Sequence, residues 1–338
     1  MDNELFDIII IGGGPAGMFA QYYAGLRELK TALIEATPRF GGQVSALYPE
    51  KKILDLPTFI NITGRDLIDK LAKQSQLVDS KSFFNSQVTD LQKKDDLFEI
   101  EINHHAYLRS KSVVVATGSG SFSPRRVSVP GSDNAEQGGR LRYLLPDFKN
   151  CREKSFAVVG GGNTAVDYAN ELIDHGKKVS LIHRRENFRA LESSVSKLEN
   201  SELVSFYLPK RIASLDQQSD GISIELEDLK DQNIEKIKVD QLIGGYGFTA
   251  SSAIIDAWSL SAKKYRYRFA TDSKQMSSVP GLFVIGDASA YPGKADLIAT
   301  GFGEAPTAIN SAVEYFDPDR GGPQHSTSLD PKKVFTDD

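Results

Sequence analysis

Phe6-Asp-Ile-Ile-Ile-Ile11 runs without a break into Gly12-Gly-Gly-Pro-Ala-Gly17, and the pattern returns as Ser155-Phe-Ala-Val-Val159 followed by Gly160-Gly-Gly-Asn-Thr-Ala165. Each apolar run reads as a buried parallel strand, covered on both faces. A helical pattern follows each glycine cluster, from Met18 to Leu29 in the first copy and from Val166 to Leu172 in the second. Another apolar run then follows, Thr31 to Glu35 and Val179 to His183. Strand, glycine turn, helix and strand, twice over, predict an α/β protein with two doubly wound dinucleotide-binding domains.

The two copies lie too far apart in sequence to share one sheet. Residues 84–116 and 203–243 read as small antiparallel meanders, ending at Thr117-Gly118 and at Gly244-Gly-Tyr-Gly247. A late strand, Leu282-Phe-Val-Ile285, closes at Gly286-Asp287. The second domain is therefore expected at 118–247. The first is split into 1–117 and 248–338, with 317–338 as a polar C-terminal extension.

In the first copy, Gly12 allows the tight turn, Gly14 lets the backbone approach a pyrophosphate and Gly17 lets helix and strand pack closely. The helix start, with Ala16 in its first turn, presents N–H groups and positive dipole to an anion. Glu35 ends the next strand, where a carboxylate accepts ribose hydroxyls. Gly41-Gly42-Gln43, Ala116-Thr117-Gly118, Gly286-Asp287 and the helix opening at Thr300-Gly-Phe-Gly-Glu-Ala305 follow in an order that favours FAD. Asp287 would meet the ribityl chain, and the late helix N-terminus the flavin N1–C2=O edge.

In the second copy, Gly160, Gly162 and Ala165 repeat the turn, with Asn163 and Thr164 opening the helix. The next strand ends not in a carboxylate but in His183-Arg184-Arg185, with Arg189 close behind. Arginines pair with a 2′-phosphate that a carboxylate would repel, so this site is expected to take NADP(H). The competing reading is a solvated basic face. Two dinucleotide sites in one chain imply hydride transfer from nicotinamide to flavin.

The rest of the composition removes alternatives. Of 338 residues, 40% are hydrophobic and 25% charged, and Lys plus Arg (40) fall short of Asp plus Glu (45). A net charge of −5 is poor for nucleic-acid or membrane-surface binding. No apolar run approaches the roughly 20 residues of a membrane span. The acidic start lacks the basic region of a signal peptide, so a cytoplasmic protein is expected. The histidines show no metal-ligand spacing. The single cysteine, Cys151, forms neither an intramolecular disulfide nor a redox pair.

Gly160-Gly-Gly-Asn-Thr-Ala-Val-Asp167 and His183-Arg-Arg185 resemble thioredoxin reductases, which carry a Cys-x-x-Cys pair just before the second glycine motif; here that pair is absent. The chain more closely resembles ferredoxin/flavodoxin–NADP+ oxidoreductases of the thioredoxin-reductase-like type. Tyr48-Pro-Glu-Lys51, Tyr291-Pro-Gly-Lys294, Gly301-Phe-Gly-Glu-Ala305 and His325-Ser-Thr-Ser328 carry that likeness along essentially the whole chain. The resemblance implies an enzyme passing electrons between NADPH and ferredoxin or flavodoxin, by hydride transfer to FAD and single-electron exit, without a dithiol relay. It implies that Tyr48 stacks on the flavin and that Glu35, Gln43, Val88, Phe122 and Asp287 contact FAD. It also implies a homodimer whose tail covers the partner's flavin, with His325 near the ring and Thr327 on the cofactor. Lys263 to Arg268 is basic enough to help dock an acidic acceptor, and equally fits a solvated strand. The rival readings are a flavin disulfide reductase or peroxidase, a flavin monooxygenase and a non-catalytic flavoprotein.

Overall fold

The computed structural model describes residues 4–323 apart from 147, 149 and 252, so His325 and Thr327 lie outside the described residues. The chain divides into two compact units, with breaks after Ser121 and before Ala250. Each is described by itself.

The first unit opens with strand β1 (Leu5–Ile11), helix α1 (Pro15–Leu26) and strand β2 (Thr31–Ile34). Short helix α2 (Gly42–Leu47) and helix α3 (Gly64–Ser75) follow, then strands β3 (Lys81–Phe83), β4 (Val88–Lys94), β5 (Leu97–Ile102) and β6 (Ala106–Val115). Helix α3 forms because Leu67, Ile68 and Leu71 recur at helical spacing on its buried face, while the Thr63 hydroxyl accepts from the Asp66 N–H and caps its start.

The second unit has strands β7 (Leu141–Arg142) and β8 (Ser155–Val159), helix α4 (Asn163–Asp174), and strands β9 (Lys178–Ile182) and β10 (Val204–Tyr207). It is completed by β11 (Lys210–Gln218), β12 (Gly221–Asp228), β13 (Ile234–Val239) and β14 (Gln241–Gly244). The order β7-β14-β8-β9-β10 makes a five-stranded parallel sheet, with β11-β12-β13 as a separate antiparallel sheet. The meander expected over 203–243 is thus shorter. Val204–Tyr207 joins the parallel sheet because a helix (Glu192–Glu199) intervenes after β9, as a parallel crossover requires.

The chain then returns to the first unit with strands β15 (Lys264–Tyr265), β16 (Arg268–Ala270), β17 (Leu282–Val284) and β18 (Ser289–Ala290), and the 19-residue helix α5 (Ile298–Phe316). Its main sheet runs β3-β2-β1-β6-β5-β4, and β17 also pairs with β6. The meander is therefore not a detached insert. Strand β6 is long enough for its first half to pair antiparallel with β5 while Val113–Val115 pair in parallel with β17.

Strand β1 shows why both faces had to be apolar. Ile8 and Ile10 pack into a cluster with Met18, Leu67 and Ile309 under the helices. Phe6, Ile9 and Ile11 point the other way, into a cluster with Phe98, Ile100 and Trp258. Phe98 is fully buried there, and Phe98→Ala is expected to cost about 3–5 kcal/mol of unfolding free energy through lost burial and a residual cavity. Urea denaturation followed by circular dichroism checks this, and an unchanged midpoint would contradict the assigned packing.

Candidate functional sites

In the first unit the turn between β1 and α1 is built by close approach. A methyl at Gly17 would fall 1.9 Å from the Gly12 carbonyl oxygen, and Gly12 itself adopts φ +111°. At Gly14 the same methyl would meet only the Gly42 Cα, at 4.0 Å, so space is left above the start of α1. Buried Glu35 closes the turn from the side, with Oε2 accepting from the Gly13 N–H (2.6 Å) and Oε1 from the Thr37 N–H (2.8 Å). The Gly41 N–H donates to the Gly13 carbonyl at 2.8 Å, which docks the start of α2 against the loop. Gln43 opens that helix, and its Nε2 lies 3.2 Å from where a Gly118 Cβ would be.

Late segments converge on the same turn. Ala16 Cβ lies 3.3 Å from a Cβ position built at Gly286 and 3.2 Å from one built at Gly301, so the end of β17 and the first turn of α5 both rest against α1. Asp287 follows Gly286, and burial pushes its carboxyl pKa up, while Arg268 opposes the shift. Tyr48 is raised to about 12, first by burial and then by the carboxylates of Asp287 and Asp55. Tyr48 also lines a cavity of about 390 Å³ with Lys51, Asp55, Leu297 and Ile298, so the N-terminus of α5 opens on it. The buried Thr117 hydroxyl has no hydrogen-bond partner among the described residues. A glycine turn with empty space, a carboxylate at the strand end, an unpartnered buried hydroxyl, an aromatic and a helix N-terminus form a donor set that fits a dinucleotide with a planar ring system.

The remaining residues expected at this site are less central. Val88 is buried at the start of β4, where its carbonyl accepts from Trp258 Nε1; two residues earlier, the Ser86 N–H donates to the Glu35 carbonyl at 3.0 Å. Phe122 lies in a short strand, Ser121–Pro124, and its side chain is outside the described set, as are His325 and Thr327.

The second unit repeats the turn with different chemistry. The central glycine, Gly161, faces the His183 ring, and a Cβ there would come within 2.2 Å of it. His183 thus takes the place that Glu35 holds beside Gly13. Its pKa is lowered, first by burial and then by Arg184, Arg185 and Arg189. Those three arginines line a cavity of about 540 Å³ together with Asn187, Phe188 and Lys230. Lys230 is paired with Glu186, whereas Arg184, Arg185 and Arg189 have no carboxylate partner among the described residues. Asn163 is exposed at the first helical position, Thr164 is half-buried beside it, and the Arg189 N–H returns to the Gly161 carbonyl at 2.7 Å. The role of His183 was not read from the sequence; the 22-residue offset that it shares with Gly13 and Glu35 was the available signal.

Cys151 does not resemble a redox centre. Its Sγ lies 3.4 Å from the Glu153 carboxylate, and burial followed by that contact raises its pKa. The thiolate is therefore disfavoured.

The comparisons agree with this architecture. The pyridine nucleotide-disulphide oxidoreductase family matches residues 6–312. A ferredoxin–NADP reductase of Oenococcus oeni is 62% identical over 338 residues, covering 100% of this chain and 98% of the relative. One from Leuconostoc citreum is 45% identical, with 97% of both chains covered. Among solved structures, Lactococcus lactis thioredoxin reductase superposes with a TM-score of 0.71 at 25% identity, covering 92% of this chain and 98% of its own. With the fold, the paired glycine turns and these relatives in agreement, the chain belongs to the pyridine nucleotide-disulphide oxidoreductase family, in the group formed by the ferredoxin–NADP reductases.

Proposed function

We propose that this protein is a ferredoxin–NADP reductase, with FAD held by the first unit and NADP(H) by the second. The observation that carries the reading is the contrast between two like turns, one closed by the Glu35 carboxylate and the other opening on arginines that have no carboxylate partner among the described residues. FAD held there would supply the exchange between the two-electron chemistry of NADPH and a one-electron carrier.

The chain's own groups have distinct tasks. The Glu35 carboxylate has about four lone-pair sites; two are used by backbone N–H groups, which leaves acceptors for two ribose hydroxyls. Gly12, Gly14 and Ala16 frame the space for the pyrophosphate at the α1 N-terminus. Tyr48 offers its face to the ring, Gln43 and Asp287 offer polar contacts around it, and the α5 N-terminus stabilises negative charge at the ring edge. Val88 and Phe122 remain proposed FAD contacts. In the second unit, Gly160, Gly162, Asn163 and Thr164 frame the pyrophosphate, and Arg184, Arg185 and Arg189 hold the 2′-phosphate.

The domain bounds 1–117 with 248–338 and 118–247 belong to this proposal, as do a homodimer, a cytoplasmic location and flavodoxin as an alternative carrier. So does a tail that brings His325 and Thr327 to the second copy's flavin. The described residues contain no helix long and apolar enough to cross a membrane. A disulfide-reductase reading would need a dithiol, and the chain has one cysteine.

The decisive experiment is FAD uptake by apoprotein followed by NADPH-driven reduction of ferredoxin. Cys151→Ser is expected to keep full activity, with negligible activity toward thioredoxin. A folded but inactive Cys151→Ser variant would overturn direct transfer. NADPH is expected to be preferred over NADH by at least tenfold, about 1.4 kcal/mol. Removing Arg184 and Arg185 together should raise KM for NADPH far more than for NADH, and equal effects would show that these arginines do not read the 2′-phosphate. A chain ending at Pro323 is expected to fold and take up FAD but to show altered flavin reactivity. Unchanged turnover and visible spectrum would reject the role given to the tail.

A further inference from the structure

We infer that the buried Lys294–Glu304 ion pair is a positioning device, which locks the Gly286–Asp287 turn to the first turns of α5 and so fixes the backbone that faces the flavin. The inference rests on the reading that the first unit holds FAD.

The pair is almost wholly removed from water, with side-chain exposures of 5% for Lys294 and 3% for Glu304. An ammonium has three N–H donors, and here each has an acceptor. One goes to Glu304 Oε1, one to the Gly286 carbonyl at 2.9 Å and one to Ser289 Oγ at 2.7 Å. The carboxylate is equally engaged. Its Oε2 accepts from the Gly286 N–H at 2.6 Å, and its Oε1 also accepts from the Tyr291 hydroxyl at 2.7 Å.

Gly286 is therefore gripped at both of its backbone groups, by the two members of one ion pair. Its φ is +62°, a left-handed conformation that directs the chain into Asp287. Glu304 stands three residues after Gly301 in α5, almost one turn further along the helix. Gly286 and Gly301 both rest against Ala16. One buried pair thus couples the Asp287 turn, the α5 N-terminus and the first glycine loop.

Stability alone is a weak reason for such an arrangement. Apolar replacements of a buried ion pair are often neutral or stabilising, whereas removing one partner leaves an uncompensated charge. What an apolar pair could not do is hold the N–H and C=O of Gly286 at once. The pair touches the backbone beside Asp287 and acts through it, so Lys294 and Glu304 are positioning residues.

The test compares Glu304→Leu, Lys294→Met and the double variant with the unsubstituted holoprotein. The readouts are FAD dissociation constant, flavin midpoint potential, visible circular dichroism and thermal stability. Both single variants are expected to bind FAD at least tenfold more weakly and to change the visible dichroism. The midpoint should move by about 30 mV, which is tenfold in a two-electron equilibrium. The double variant should regain stability but not FAD affinity or potential, because Gly286 stays ungripped. Recovery of affinity and potential along with stability would reduce the pair to a structural role and overturn the proposal. So would single variants that fold with all flavin readouts unchanged. If the single variants do not fold, Tyr291→Phe decides, since it keeps both charges and frees only one contact to Glu304. A shifted potential at unchanged stability supports the proposal, and an unchanged potential overturns it. Failure of the unsubstituted apoprotein to take up FAD would instead overturn the assigned function, and the present inference with it.

Discussion

The constraint on which the first unit depends is the contact between Gly17 and the carbonyl of Gly12. With no room for a methyl at 1.9 Å, α1 can lie directly on the end of β1 only if residue 17 is glycine, while Gly12 is required by its φ of +111° and by the Ala116 carbonyl, 2.5 Å from where its Cβ would be. That closeness points the helix N-terminus at the carboxyl ends of the parallel strands. It also brings the Gly13 N–H within reach of Glu35 and leaves Ala16 as the surface against which Gly286 and Gly301 come to rest. Segments some 270 residues apart in sequence are thus gathered at one loop.

Much of this was legible in the sequence because the signals were local. A run such as Ile8 to Ile11, apolar at every position, admits few placements other than a central parallel strand, and the glycines after it mark the turn. What escaped sequence reading was non-local. Val204–Tyr207 reads as part of a meander by its short length, and only the topology of β9 and β10 assigns it to the parallel sheet. The division of β6 between an antiparallel and a parallel neighbour is likewise invisible to periodicity.

The candidate site divides in the same way. Gly12, Gly14, Glu35 and the arginines sit at fixed offsets inside one strand–turn–helix–strand unit, so their positions could be read from spacing. Gln43 and Asp287 could be read only from the order of short glycine-containing segments along the chain, and Tyr48 only through resemblance, because nothing in their neighbours' sequence says that they meet. The structure brings Tyr48 close enough to Asp287 for that carboxylate, after burial, to raise the tyrosine's pKa. Lys294 and Glu304 stood within quoted motifs, but the sequence held no sign that one would cover the N–H and the other the carbonyl of the same glycine.

Under the proposed function, the two turns would let one architecture discriminate between two nucleotides. Beside Gly13 stands a carboxylate, a group that accepts from hydroxyls and repels phosphate. Beside Gly161 stands an imidazole, and burial together with three nearby guanidiniums disfavours its protonation. A carboxylate at that position would pair with Arg184 or Arg185 and cancel the charge needed for a 2′-phosphate. The neutral ring fills the same space under the turn and leaves the arginines without a carboxylate partner among the described residues. On the proposed assignment, selectivity for the phosphorylated nucleotide would depend on the arginines and also on the neutral group that replaces a carboxylate at the strand end.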